Sequence, residues 1–196
     1  MEPILKNGTR ILRPGEYDKL RAGIIRKESS QTATLDFLLL TGMRYVESIR
    51  FWQNEKRGGV SWFLPESLCI QLPKSAVLKS KRKQPERWIK LTREGLKAVE
   101  AFLMADKPPA PQNWRNNLIR WATKSGLNPV GLGVKTTRKT WESWLIVSYP
   151  GRYGEIASNQ GHTIGVAFNN YVNTPFNAQE RLEIKSRVAG LFGNET

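Results

Sequence analysis

Residues 38–48 read "LLLTGMRYVES". The run Leu38-Leu39-Leu40 closes a longer segment, "SSQTATLDFLLLTG" over 29–42, that is apolar most of the way round, which predicts a central, buried helix. Ser29 or Ser30 caps its start. Gly42 ends it, because glycine accepts the left-handed conformation that follows a last helical turn. Arg44 comes two residues later and Glu47 three after that, on a further short helix expected over "RYVESIRFW". An arginine just past a helix stop is most often an ordinary surface residue. The meaning of this stretch therefore depends on what accompanies it.

Upstream, residues 1–13 read as an arm, and "RPGEYDKLRAGIIRKE" as a first helix with Pro14 near its start and Leu20, Ile24 and Ile25 on one face. Downstream, the period changes. In "KRGGVSWFLPESLCIQLP", Val60 and Trp62, then Leu68, Ile70 and Leu72, alternate around Pro65 and Glu66, which predicts a short antiparallel hairpin, with "PERWIKL" as a third strand. Helices then return. "TREGLKAVEAFLMA" is capped by Thr92, and "NWRNNLIRWATKSG" carries Trp114, Leu118, Trp121 and Ala122 at helical spacing. "KTTRKTWESWLIVSY" follows, then helices before His162 and before Tyr171, and a last one in "NAQERLEIKSRVAGLFG". In that last helix Ile184, Val188, Leu191 and Phe192 make a stripe suited to its own core or to a partner. The tryptophans at 114, 121, 141 and 144 are expected in the core. The order is helices, a small sheet, then more helices.

Composition narrows the classes. With 196 residues and 39% apolar content, the chain is expected to fold around one sizeable core. Thirty-one Lys and Arg against 17 Asp and Glu give a net charge of +14, which favours a polyanion partner, nucleic acid before membrane. One cysteine, Cys69, excludes an internal disulfide, and with a single histidine no metal centre is expected. No run of about 18 apolar residues exists, and the N-terminus lacks a signal peptide's apolar core, so the expectation is an intracellular (cytoplasmic) protein with no membrane partner. Charge is also concentrated. From Lys74 to Arg93 there are eight basic residues and one acid, Glu86. Like charges this dense repel unless a counter-charge arrives, and phosphate contact releases condensed counterions. Lys74, Lys81, Arg82, Lys83 and Arg87 are the candidate DNA-binding residues of this loop.

Four separated pieces carry chemistry. "TGMRYVES" holds Arg44 and Glu47. Lys79 precedes a serine at a hairpin tip. "KTTRKT" places Lys135 three residues before Arg138. "GHTIGVAFNNYVN" holds His162 and, nine residues later, Tyr171. In this order and spacing the chain resembles the catalytic domain of the tyrosine recombinases, the phage-integrase family, over residues 14–193. That family's pattern is TGxRxxE, a hairpin lysine, HxxR, and GH followed by the nucleophilic tyrosine. Lys135 stands where the family usually has the first histidine, which narrows the resemblance toward archaeal virus and plasmid integrases.

The resemblance implies an α+β fold: a mostly helical catalytic domain with a small three-stranded antiparallel sheet. It implies an arm over 1–13, a catalytic domain over 14–178 and a C-terminal helix or tail over 179–196. Only about a dozen residues precede the first helix, so the family's N-terminal core-binding domain is expected to be absent: the chain is either a fragment of a longer integrase or a minimal recombinase. It implies Arg44, Lys79, Lys135, Arg138, His162 and Tyr171 as catalytic residues, with Glu47 supporting an arginine from behind. Lys81 competes with Lys79 for the same place. No cofactor is implied. The partner is double-stranded DNA with a specific attachment site, and self-association reaches a tetramer on DNA, with a monomer or weak oligomer when free.

These residue types suit a metal-free phosphodiester cut. Such a cut needs an in-line nucleophile, charge to balance the developing phosphorane and an acid for the leaving oxygen. Two other readings of the same residues stand beside the recombinase: a non-catalytic DNA-binding protein of the same fold, and a type IB topoisomerase.

Overall fold

The computed structural model describes residues 2–24, 28–76, 86–163, 165 and 174–192. The expected arm folds as a β-hairpin, β1 (Ile4–Lys6) with β2 (Thr9–Ile11), in the register Ile4↔Ile11, Leu5↔Arg10 and Lys6↔Thr9. Its turn is Asn7-Gly8, both at positive φ, the mirror-image turn whose twist matches the strands. Ile4, Ile11 and Leu12 enter the core. Arg10 is buried with them, held by Glu16 at 2.6 Å and by the Asn128 carbonyl at 2.7 Å. Three-residue strands are too short to show alternation, so only Asn7-Gly8 carried a signal.

Helix α1 spans Pro14–Ala22 and α2 spans Ser29–Thr41. The N-cap position of α2 is Glu28 rather than either serine, and its carboxylate does not cap the helix but accepts from Trp121 Nε1 at 2.9 Å and also meets Arg120. Leu35, Phe37, Leu38 and Leu39 of α2 are all buried, as the apolar run predicts. Helix α3 is longer than expected, Tyr45–Arg57. Three strands follow, β3 (Phe63–Leu64), β4 (Cys69–Leu72) and β5 (Arg87–Lys90), in an antiparallel sheet ordered β3-β4-β5. Val60 lies before the sheet and is exposed.

Helix α4 (Arg93–Met104) starts where Thr92 Oγ1 accepts the Gly95 N–H at 2.9 Å. Helix α5 (Pro111–Lys124) has proline at its first position, where the missing N–H costs nothing. Helix α6 spans Thr136–Ser148 and α7 spans Tyr153–Gln160. The last described helix, here α8, spans Ala178–Val188, with Asn177 capping Glu180 N–H. The described helices and the sheet make the α+β architecture expected from the sequence.

The core lies around α2, which packs on α4 and α6. Phe37 stacks on Phe102 with centroids 3.9 Å apart, and on Phe51 at 5.6 Å. Trp114, Trp121, Trp141 and Trp144 are all buried. Burying side chains of this size contributes roughly 1.5–3 kcal/mol each. Helix α8 docks on its own chain: Ile184 and Val188 are buried, Glu180 meets Arg13 at 2.7 Å, and Arg187 meets Asp18 at 2.7 Å. Phe192 lies edge-on to Tyr149 at 4.9 Å. Among the described residues, no helix is long and apolar enough to cross a membrane. Ile25 and, apart from Gly165, the segment before Tyr171 lie outside the described residues.

Candidate functional site

The site is assembled where two helices stop. Helix α2 ends at Gly42, in the left-handed conformation at φ 60°. A Cβ there would come within 2.6 Å of Trp141 Cδ1 and of Gln160 Nε2, so both backbone and space demand glycine. The chain then extends through Met43 to Arg44, the N-cap residue of α3. Glu47, one turn into α3, accepts the Arg44 backbone N–H at 3.0 Å and the Arg44 guanidinium at 2.6 Å. The short spacing in "RYVE" thus turns a surface-type arginine into a fixed one.

The second stop is at the end of α7. Gly161 takes φ 66°, which directs the last carbonyls of the helix toward the incoming arginines. The Gln160 carbonyl accepts from Arg87 at 2.8 Å and from Arg138. The Gly161 carbonyl accepts from Arg44 at 3.2 Å. Arg138 also donates to the Gly42 carbonyl at 2.9 Å, joining the two helix stops. Carbonyls at a helix C-terminus carry partial negative charge, which favours cations there.

Helix α6 supplies one face. Lys135 at its N-cap is exposed, Arg138 is mostly buried one turn on, and Glu142 is fully buried one turn further. Glu142 Oε1 lies 2.5 Å from His162 Nε2, a close carboxylate–imidazole contact. His162 Nδ1 is 3.3 Å from the Thr163 carbonyl. Next along α6, Lys139 reaches the Lys6 carbonyl at 2.8 Å, tying the hairpin to this helix. Burial first, and then the charge of Lys135, lower the proton affinity of Lys139, with Glu142 opposing.

Arg87 departs from the sequence reading. Grouped there with the DNA-binding cations of the loop, it is instead buried, with only 4% of its side chain exposed, and it pairs with Glu47. Burial pushes its proton affinity down to about 9, Glu47 opposes that, and the charges of Arg138 and Arg44 add to it. It stays cationic at neutral pH. Lys74, by contrast, is exposed just beyond β4.

The structure therefore brings Arg44, Glu47, Arg138 and His162 together at the ends of α2 and α7, with Lys135 at the head of the same helix as Arg138. Lys79, Lys81, Arg82, Lys83 and Tyr171 lie outside the described residues. The sequence reading missed the Gln160 carbonyl as a shared acceptor, and it missed Glu142 beside His162. Gly161 after a short helix was the one available signal for the former.

The sequence matches no protein-family model and no curated protein. Its fold does match solved structures. The Tn1549 transposon integrase in complex with circular intermediate DNA superposes with a TM-score of 0.64 at 17% identity, over 95% of this chain and 68% of that one. The same integrase with transposon right end DNA gives 0.63 at 16% identity, over 95% and 67%. XerA recombinase gives 0.59 at 14% identity, over 90% and 64%. The fold is that of a tyrosine-recombinase catalytic domain.

Proposed function

We propose that this chain is a site-specific DNA recombinase, an integrase that cleaves and rejoins strands through a 3′-phosphotyrosyl intermediate in the integration or excision of a mobile element. The observation that carries the reading is the convergence of Arg44 and Arg138 on the adjacent carbonyls of Gly161 and Gln160, immediately before His162. The DNA-bound integrases that share the fold support the same partner class.

In this scheme the Tyr171 phenol gives up its proton to solvent as its oxygen attacks phosphorus in line. The bond to the 5′-oxygen breaks, and that oxygen takes a proton from Lys79, or from Lys81 in its place. Arg44 and Arg138 grip the non-bridging oxygens, since a guanidinium fork is always charged and matches phosphate geometry. Their charge takes the part a metal plays elsewhere, and no cofactor is called for. Lys135 adds a further cation at the phosphate, and His162 donates to it or orients Tyr171. Glu47 acts from behind Arg44. A phenolate is a good leaving group, so a free 5′-hydroxyl attacking the phosphotyrosine reseals the strand without ATP.

The working assembly is a tetramer on paired attachment sites, built from a monomer or weak oligomer, inside the host cell of the element. Lys74, Lys81, Arg82 and Lys83 contact the DNA backbone. The Lys135-x-x-Arg138 box aligns the chain with archaeal virus and plasmid integrases.

The test is a suicide duplex carrying a nick. After denaturation, the wild type is expected to show a covalent protein–DNA band that disappears in Tyr171→Phe, and that falls on the order of 100-fold in Arg44→Ala or Arg138→Ala. DNA binding with no covalent band on any bound substrate would overturn the enzyme in favour of a DNA-binding protein of the same fold. Supercoil relaxation without exchange between two marked sites would point to a type IB topoisomerase.

A further inference from the structure

Arg87 has no part in the chemistry above, yet it sits at the centre of the site. It lies on β5 opposite Leu72 and on the same inward face as Ile89. Burying a guanidinium is costly unless its donors are matched. Two acceptors match its terminal nitrogens, the Gln160 carbonyl at 2.8 Å and Glu47 Oε2, while Nε is buried without a hydrogen-bond acceptor among the described residues. Both acceptors are shared. Glu47 Oε1 also holds Arg44 at 2.6 Å, and the Gln160 carbonyl also accepts from Arg138. Arg138 in turn reaches the Gly42 carbonyl, two residues before Arg44. The contacts close a loop: Arg44, Glu47, Arg87, Gln160, Arg138, Gly42 and back along the chain. Were the position needed only for packing, an aliphatic residue would serve, as Ile89 does two residues on.

We propose that Arg87 is a positioning residue: it holds Glu47 and the Gln160 carbonyl so that the Arg44 and Arg138 guanidiniums converge on one DNA phosphate. The inference rests on the reading that those two arginines bind a phosphate. Sharing Glu47 between two guanidiniums has a second effect: one carboxylate cannot neutralise both, so the cluster keeps the net positive charge that an anion needs.

The experiment has two arms on the full chain. In the first, ¹⁵N-labelled wild type, Arg87→Lys, Arg87→Met and the double variant Arg87→Met/Glu47→Gln are compared by the side-chain Nε–H signals of Arg44 and Arg138, without DNA. In the second, the same proteins are timed on the suicide duplex, alongside duplex affinity. Arg87→Met is expected to shift both arginine signals and to slow covalent capture about 100-fold, the scale of an ångström-sized misplacement of catalytic groups. Duplex affinity should change less than about 3-fold, since it rests on backbone contacts elsewhere. The double variant restores the charge balance but also weakens the Arg44 clamp, so it should be no faster than Arg87→Met; a recovered rate would mean that Arg87 supplies charge rather than position, and would overturn the proposal. Arg87→Lys should fall between, because a single ammonium cannot span two acceptors. Arginine signals left where the wild type has them, with only the melting temperature lowered, would overturn the proposal and leave Arg87 a packing residue. Should Arg87→Met not fold, Arg87→Lys carries the same reading: both signals move or the proposal falls. A wild type that never forms the covalent band would sink the recombinase reading, while the first arm still decides whether Arg87 positions the pair.

Discussion

Tyr17 donates its hydroxyl to Asp36 at 2.5 Å, and Arg21 holds the same carboxylate at 3.0 Å. Burial first, then the charge and hydrogen bond of Asp36, raise the Tyr17 phenol well above its ordinary value near 10.0. Burial does the same to Tyr45, whose hydroxyl donates to the Pro109 carbonyl at 2.8 Å. A folded-state pKa above the unfolded one gives stability that is complete below about pH 10 and is lost as pH rises past it. Melting temperature should therefore fall steeply above pH 10 in the wild type and less steeply in Tyr17→Phe. Equal alkaline slopes would refute this account. At the same scale, Arg87 shows how a charge misleads. Dense cations nearby made it read as surface, yet its parity with Ile89 already placed it on the inward face of β5. What the sequence could not show was Glu47 waiting forty residues away to match it.

Elements with a long period were legible. Helices α4 and α5 follow their apolar spacing, α2 follows its nearly continuous apolar run, and Thr92 and Gly42 cap where their chemistry says they should. Replacing Thr92 by Ala leaves the Gly95 N–H without its acceptor at a buried helix start, so a loss of about 1 kcal/mol in denaturant unfolding is expected. A change below the error of the measurement would mean that water satisfies that group instead. The N-terminal hairpin was not legible, because its strands are three residues long and its charged Arg10 points inward. Its place is set by distant partners: the Leu12 N–H meets Thr140 Oγ1 at 2.9 Å, and the Leu12 carbonyl accepts from Trp144 at 3.0 Å. Local sequence carries no record of such tertiary contacts.

For the whole molecule, charge and fold point the same way. On the proposed function, a chain with 31 basic residues should bind duplex DNA with a strong dependence on salt. If six or more phosphates are contacted, affinity should drop at least roughly 10³-fold between about 50 and 200 mM monovalent salt. A binding curve indifferent to salt would remove the polyanion from the account. The pairing of Arg44 with Arg138 was readable in advance because the motifs that carry them keep a fixed order along the chain, whereas the place of Arg87 between them was not. Nor were the carbonyls that gather them, since every residue has one. Gly42 shows where that leads. Its carbonyl anchors Arg138, and its bare Cα leaves room for Gln160 and Trp141 to approach. In a blind screen for dead variants, replacements at 42 would be filed with the missing cations: a phenotype of lost charge, from a position with no side chain to lose.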